Sequence, residues 1–278
     1  MLGGTYASNF LELHGFYMPL LVKPKIPATT SRESFAPANL DFTTLKFLNN
    51  DGELLSKKDE LVEQWALQAK FLLGDFELST SWVHHFDRTD VKIIPQSLTE
   101  LTPVLTQVDH FGLGMNYILG SWIFKTELVY RDFKDNISNS STNLKQVDYG
   151  IAAVALEYGF SSDNGSESTI IIELQELIDV DKPDRFTLTP FQRDLFLGYR
   201  HAFNDELGKE LFFFTIFDLE RRLEMMLNLS YSQRLSDTWK IKSGLRVIKA
   251  SPDNTFDLSG IRQLDKDHQL YLDLSYYF

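Results

Sequence analysis

The sequence predicts an all-β protein, a transmembrane antiparallel up-and-down β-barrel with about thirteen strands in this chain. Large apolar residues alternate with polar ones in segment after segment, which is the pattern of a strand with one apolar face. Many of these segments reach about ten residues or more, the length that a tilted strand needs to cross a bilayer. Tryptophan and tyrosine recur near the segment ends, where the two interfaces of a membrane would lie.

The predicted strands follow one another along the whole chain. Glycine-containing pairs, Gly74 with Asp75 and Gly120 with Ser121, predict tight turns between neighbouring strands. In two of the strands, 169–178 and 210–218, both faces are apolar, so the alternation is weakest there. In chain order, the predicted strands are 3–7, 10–18, 64–71, 76–82, 111–117, 122–133, 149–160, 169–178, 191–201, 210–218, 223–231, 238–247 and 270–278.

The connections alternate between short turns and long polar segments, the latter at 19–62, 87–107 and 134–146. Outer-membrane barrels show this asymmetry, with short periplasmic turns and longer outer loops. Segment 19–62 is long enough to fold inward as a constriction or plug.

We expect a single barrel domain over residues 1–278 that lacks its first strands. Thirteen is an odd number, whereas bacterial single-chain barrels have an even number of strands. A complete barrel of about 14 to 18 strands would be wide enough for an aqueous channel.

Composition excludes several classes of protein. The net charge of −12 argues against a nucleic-acid partner, which requires clustered Lys and Arg. The absence of cysteine excludes disulfides, thiolate metal sites and a cysteine nucleophile. No segment approaches the roughly 18 consecutive apolar residues of a membrane helix. A soluble β-sandwich would also alternate, but its strands usually have only about 5 or 6 residues.

Two groups of residues suggest metal ligands. His84, His85 and Asp87 lie at a strand end, but adjacent strand residues point to opposite faces, so a polar rim explains them better. The three aspartates of IDVDKPDRF (residues 178–186) lack the glycine and glutamate of an EF-hand, which favours a solvated loop.

A hydrolase would need a serine beside a histidine and an acid, and Ser79, Ser81 and His85 are the candidates. Serines and histidines are frequent enough in this chain that their proximity carries little weight. We therefore predict that the protein is not an enzyme and needs no cofactor.

Charged residues on the polar faces of the strands predict the lining of a lumen. A mixture of both signs favours polar or zwitterionic solutes, and the basic cluster within 239–247 is the expected solute contact. The expected function is a porin-like channel for passive diffusion or uptake of small solutes. An outer-membrane hydrolase and a structural or adhesive barrel with a closed lumen remain alternatives. The predicted lumen residues are Lys125, Glu127, Arg131, Lys240, Lys242, Arg246 and Asp273.

Two stretches carry a family resemblance. The run TYASNFLELHGFYMPLLVKPKIP, from Thr5 to Pro27, and the ending from Trp239 through Asp265 and Asp267 to LYLDLSYYF are similar to segments of a Gram-negative outer-membrane family. The family consists of porin-like proteins and includes barrels related to lipid and alginate export. No active-site motif of the family is matched.

The resemblance implies a location in the bacterial outer membrane and several strands upstream of Met1. Tyr276 and the terminal Phe278 resemble the C-terminal signal by which the barrel-assembly machinery recognises such proteins. The expected partners are this machinery, outer-membrane lipid and lipopolysaccharide, and a small-molecule solute.

Overall fold

The computed structural model describes most of the chain. The described residues are 1–22, 24–25, 41–42, 46–48, 54–55, 61–89, 91–95, 100–133, 137–139, 142–144, 147–189, 191–221, 224–250, 261, 264–265 and 267–278. Segments 19–62 and 134–146 lie largely outside them, so only parts of the predicted plug are described.

The described residues form twenty strands and one helix. The strands are β1 (Leu2–Ala7), β2 (Leu11–Tyr17), β3 (Asp41–Phe42), β4 (Lys46–Leu48), β5 (Leu54–Leu55), β6 (Trp65–Leu73), β7 (Phe76–Phe86), β8 (Lys92–Pro95), β9 (Glu100–Leu105), β10 (Gln107–Leu119), β11 (Trp122–Phe133), β12 (Ile137–Asn139), β13 (Thr142–Leu144), β14 (Tyr149–Ser161), β15 (Glu167–Ile178), β16 (Arg193–Ala202), β17 (Glu210–Asp218), β18 (Met225–Arg234), β19 (Trp239–Lys249) and β20 (Gln269–Tyr276). The helix, α1, spans Lys182–Leu188.

Thirteen strands form one large antiparallel sheet, in the order β1-β2-β6-β7-β10-β11-β14-β15-β16-β17-β18-β19-β20. Each of them overlaps one of the thirteen strands predicted from the alternation. The all-β class and the antiparallel sheet are therefore confirmed. Several strands are longer than predicted; β10, for example, has 13 residues.

The tight turns are confirmed at two positions. Gly74, between β6 and β7, has a φ of 64°, and Gly120, between β10 and β11, has a φ of 60°. Two-residue hairpins of this kind require positive φ, which glycine adopts at no steric cost. These turns fix the register of the two hairpins.

A second sheet was not predicted. Strands β3, β4, β5, β8 and β9 form it, and β9 pairs parallel to both β3 and β4. The interpretation of 87–107 as a long polar connection is therefore wrong, because β8 and β9 lie within it and β9 is almost fully buried. Strands β12 and β13 form a separate hairpin. Helix α1 replaces part of the loop predicted around Asp184.

The chain divides into two compact units. Unit 1 comprises Met1–Leu73, Glu77–Gly114 and Leu128–Gly150. Unit 2 comprises Gly74–Phe76, Met115–Glu127 and Ile151–Phe278. No helix in the described part of the chain is both long and apolar enough to cross a membrane.

On the large sheet, apolar side chains of unit 2 are exposed while polar ones are buried. Ile170, Ile172 and Leu174 of β15 expose 42%, 42% and 46% of their surface. Asn228 and Ser230 of β18 each expose only 6%. We call the side of these strands that carries Ile170 the apolar face and the side that carries Asn228 the polar face.

Unit 1 shows the same distribution on its part of the large sheet. Its apolar face exposes Leu13, Leu67, Trp82, Phe111 and Leu113. Buried apolar residues are found instead around the second sheet, where Ile94, Val104, Leu105 and Val108 are fully buried. Among the described residues of this unit, the fully buried aliphatic side chains are therefore those of the small sheet and of Val108 in β10.

Gly244 of β19 offers a test of packing on the polar face. A Cβ at Gly244 would lie 2.3 Å from the Tyr271 ring and 2.7 Å from the backbone oxygen of Leu229. We expect Gly244→Ala to lower the free energy of unfolding by about 1–3 kcal/mol, because the neighbouring backbone must shift. Chemical denaturation of the chain in detergent would measure the loss.

Gly159→Ala is the matched control, since the nearest atom to its Cβ would be 4.0 Å away. Its effect should stay below about 1 kcal/mol. Equal losses for the two variants would contradict the close packing of Tyr271 over Gly244.

Candidate functional site

The predicted lumen residues of β19 and β20 lie together on the polar face of unit 2. The strand register pairs Lys242 with Asp273 and Arg246 with Gln269, while Lys240 pairs with Ser275. On the other side of β19, Arg246 pairs with Asn228 of β18. We call Lys240, Lys242 and Arg246 the basic patch.

The basic patch is accessible. Lys242 and Arg246 are exposed, and Lys240 is half-buried. Nη1 of Arg246 donates to Oε1 of Gln269 over 3.4 Å. Within the described residues, neither Lys240 nor Lys242 forms an ion pair or a side-chain hydrogen bond. Two ammonium groups are thus available to a solute.

A polar floor supports the patch. The hydroxyl of Tyr271 donates to Oδ1 of Asn228 over 3.3 Å, and its ring reaches there across Gly244. Tyr271 lies on β20 and Asn228 on β18, so this bond spans the strand that carries the patch. Asp273 is exposed and supplies one negative charge against three positive ones.

The predicted lumen residues of β11 differ from the patch. Nζ of Lys125 donates to Oε1 of Glu157, with which it forms an ion pair. Glu127 of the same strand is exposed. The charge of Lys125 is therefore largely compensated, and this lysine is a weaker candidate for solute contact than Lys242.

Arg131 lies in a buried cluster of unit 1. It exposes only 8% of its surface, and its guanidinium donates to Oδ2 of the fully buried Asp87 and, over 2.5 Å, to the hydroxyl of Tyr149. The rings of Phe133 and Tyr149 each lie with their centroid 5.3 Å from the guanidinium carbon. This arginine is thus held in place by its partners, a role the sequence analysis did not foresee.

The histidines considered as metal ligands have separate partners. Nδ1 of His84 lies 2.7 Å from Oδ1 of Asp109, whereas Nδ1 of His85 lies 2.9 Å from the carbonyl oxygen of Phe86. Asp87 bonds to Arg131 and to Thr89. The described residues contain no group of three or more His, Asp or Glu side chains arranged to hold a metal ion.

The serines considered for catalysis are not joined to His85. The hydroxyl of Ser79 donates to the backbone oxygen of Gly114 over 3.5 Å. Ser81 lies four residues from His85 on one strand, which corresponds to about 13 Å at 3.3 Å per residue. This separation is too long for proton transfer from serine to histidine.

A serine–histidine contact that the sequence analysis missed occurs elsewhere. Oγ of Ser168 lies 2.8 Å from Nδ1 of His201 and 3.1 Å from the hydroxyl of Tyr199. Ser168 and His201 are register partners on β15 and β16. No described carboxylate forms a hydrogen bond or an ion pair with His201, so a third group that could orient the imidazole is missing from the described contacts.

The predicted assembly signal lies at an exposed chain end. Leu270, Leu272, Leu274 and Tyr276 of β20 and the terminal Phe278 all expose more than half of their surface. Tyr276 contacts Trp239 across the strand pair, with ring centroids 4.9 Å apart.

Comparisons of the chain with protein-family models, with curated proteins and with solved structures found no match. The resemblance to outer-membrane porin-like proteins therefore stays a prediction that rests on the residues quoted for it.

Two ion pairs on the polar face of β11 should differ in strength. Arg131→Met would leave the fully buried carboxylate of Asp87 without its arginine, so we expect a loss of about 3–5 kcal/mol in unfolding free energy. Lys125→Met breaks a partly exposed pair and should cost no more than about 1 kcal/mol. Urea denaturation of both variants would measure the difference. Similar losses would contradict a special role for the Arg131 cluster.

Proposed function

We propose that the chain belongs to a closed β-barrel of the Gram-negative outer membrane that acts as a passive, porin-like channel for small solutes. The observation that carries this proposal is the distribution of exposure on the large sheet. Within each unit, large apolar side chains are exposed on the face where a soluble protein would place polar ones.

Lipid explains the exposed apolar face better than water does. Contact with water costs roughly 25 cal/mol for each Å² of apolar surface, and hydrocarbon removes this cost. The aromatic residues support the same interpretation. Trp65, the first residue of β6, meets Trp82 of β7 edge to face and stacks on His84, and Trp122 contacts Tyr158 in unit 2. Aromatic groups with a polar edge are typical of membrane interfaces.

The connections of the large sheet also support a barrel. Short turns link β1 to β2, β6 to β7, β10 to β11, β14 to β15, β16 to β17 and β18 to β19. The intervening connections are mostly longer and carry the second sheet, the β12–β13 hairpin and α1. An up-and-down barrel of the outer membrane has this alternation.

The basic patch gives the proposed channel its local selectivity. Three cationic side chains against one carboxylate produce a positive region in a chain whose net charge is −12. A solute with an anionic group would be attracted there, as charged rings select ions in other pores. Passive diffusion needs a polar lumen of sufficient width and no cofactor.

Single-channel recording of the protein in a planar lipid bilayer tests the proposed channel. We expect discrete, long-lived conductance steps. Verified insertion without conductance would contradict the channel and favour the barrel with a closed lumen.

Charge reversal tests the patch. We expect Lys242→Glu to shift the reversal potential in a salt gradient towards greater cation preference, because it replaces an accessible positive charge on the polar face by a negative one. Lys249→Glu makes the same change on the same strand but on the other face, next to Met225, and should leave the reversal potential unchanged. Equal effects of the two variants, or none from Lys242→Glu, would contradict a role of the patch in permeation.

A further inference from the structure

Two aspartates face each other in the β16–β17 hairpin of unit 2. Asp194 is the second residue of β16, Asp218 is the last residue of β17, and the two are register partners. Directly opposed residues of antiparallel strands have their Cβ atoms about 4.5–5.5 Å apart. Asp194 exposes 6% of its surface and Asp218 4%, so two carboxyl groups lie side by side with little access to water.

Each of these carboxyl groups has one oxygen without a hydrogen-bond partner. Oδ2 of Asp194 accepts a long bond of 3.4 Å from the side-chain amide of Gln175. Oδ1 of Asp218 accepts from the backbone N–H groups of Glu220 and Arg221, at 2.8 Å each. Oδ1 of Asp194 and Oδ2 of Asp218 are buried without any partner among the described residues.

The basic side chains nearby have other partners. Arg193 lies 3.7 Å from Glu176, and Arg221 lies 3.8 Å from Glu224. Arg185 contacts both Glu176 and Glu220. In the described part of the chain, no lysine or arginine forms an ion pair with Asp194 or Asp218. No described base therefore forms an ion pair with either aspartate, and Arg221, which pairs with Glu224, attracts Asp218 only at longer range.

A cavity of about 160 Å³ adjoins Asp194. The side chains of Glu173 and Gln175 line it together with three apolar residues, Phe191, Phe196 and Ile216. Because a water molecule occupies about 30 Å³ in the liquid, the cavity has room for an ion with several waters.

We propose that Asp194 and Asp218 together bind one hard divalent cation, for which Ca²⁺ is the suitable probe. Two carboxylates neutralise a divalent ion, and carboxylate oxygens, amide oxygens and water are the ligands that Ca²⁺ takes. A buried pair of carboxylates must be compensated by a cation or by a retained proton, and a divalent cation compensates both charges at once. The site lies on β15, β16 and β17 of unit 2, so it stands whether or not the protein conducts.

The site should be weak. Only two carboxylates converge on it, and no described group supplies three or more acidic or histidine side chains. We expect a dissociation constant of about 10⁻⁴–10⁻³ M, the range of extracellular calcium modules with few charged ligands.

Two measurements on the full chain in detergent test the proposal. Thermal unfolding gives Tm, and isothermal titration calorimetry gives the affinity and the number of bound Ca²⁺ ions. We expect Ca²⁺ at 10–30 times the dissociation constant to raise Tm by several degrees relative to EDTA. Sodium chloride of equal ionic strength should not reproduce the rise. Calorimetry should give about one Ca²⁺ per chain.

Variants assign the effect to the two aspartates. Asp194→Asn and Asp218→Asn should each weaken Ca²⁺ binding at least tenfold. Both should remain folded, because each removes repulsion within the pair. Asp205→Asn is the control, since this carboxylate lies in the turn of the same hairpin and pairs with Lys209 at 2.8 Å.

Three results would overturn the proposal. One is the absence of a calcium-dependent change in the wild-type chain. Another is an equal calcium effect in Asp194→Asn and in the control. The third is a full rise in Tm with sodium chloride alone, which would show that ionic screening, and not a bound ion, stabilises the hairpin.

Discussion

Backbone pairing along the thirteen strands is the constraint on which the rest of the structure depends. Each internal strand of the large sheet is hydrogen-bonded on both sides, whereas β1 and β20 each have one neighbour in that sheet. An unpaired strand edge in hydrocarbon costs several kcal/mol for each exposed group, so the proposed barrel requires both free sides to be paired. The first and last of thirteen antiparallel strands run in the same direction. If these thirteen strands closed on one another, β1 and β20 would therefore pair in parallel.

Pairing also determines which charges can be buried. Once the register is fixed, every side chain is assigned to one face, and a polar group on a crowded face must find its partner there. Arg131 does so with Asp87 and Tyr149, and Lys125 does so with Glu157. Lys242 faces a less crowded part of β19 beside the exposed β20 and forms no such bond within the described chain. The position of a charged residue in the sheet thus determines whether its side chain is paired, as in Arg131 and Lys125, or accessible to a solute, as in Lys242.

The alternation of residues was sufficient to predict the large sheet, because a strand with one apolar face carries its own signal in every second residue. The same criterion could not find β9. Its sequence, ELTPVL, is buried at five consecutive positions, so no alternation marks it, and Pro103 argues against a central strand. Its pairing with β3 and β4 joins segments nearly 60 residues apart, such as Asp41 with Glu100 and Lys46 with Val104. Such pairing depends on tertiary contacts that local patterns do not report.

The sequence predicted some of the candidate site residues and missed others, as it did for the strands. Strand parity placed Lys240, Lys242, Arg246 and Asp273 on one face, since β19 and β20 both alternate clearly. The Asp194–Asp218 pair could not be predicted in this way. Strand β17 is apolar on both faces, so its sequence does not indicate which residues face the lumen or how β17 is aligned with β16. The Arg131 cluster was missed because Asp87 is 44 residues away in sequence.

The two charged regions of unit 2 have opposite requirements. On the β16–β17 hairpin, two negative charges are buried and close together, so they are tolerable only if a cation or a proton compensates them. On β19, Lys242 and Arg246 are exposed and Lys240 is half-buried, so these positive charges are accessible to solvent and need no such compensation. A small ion that enters the first region is stabilised by both carboxylates, because its departure would leave them uncompensated beside each other. A solute that meets the second region would exchange quickly with water, which is what a passive channel requires of the side chains along its path.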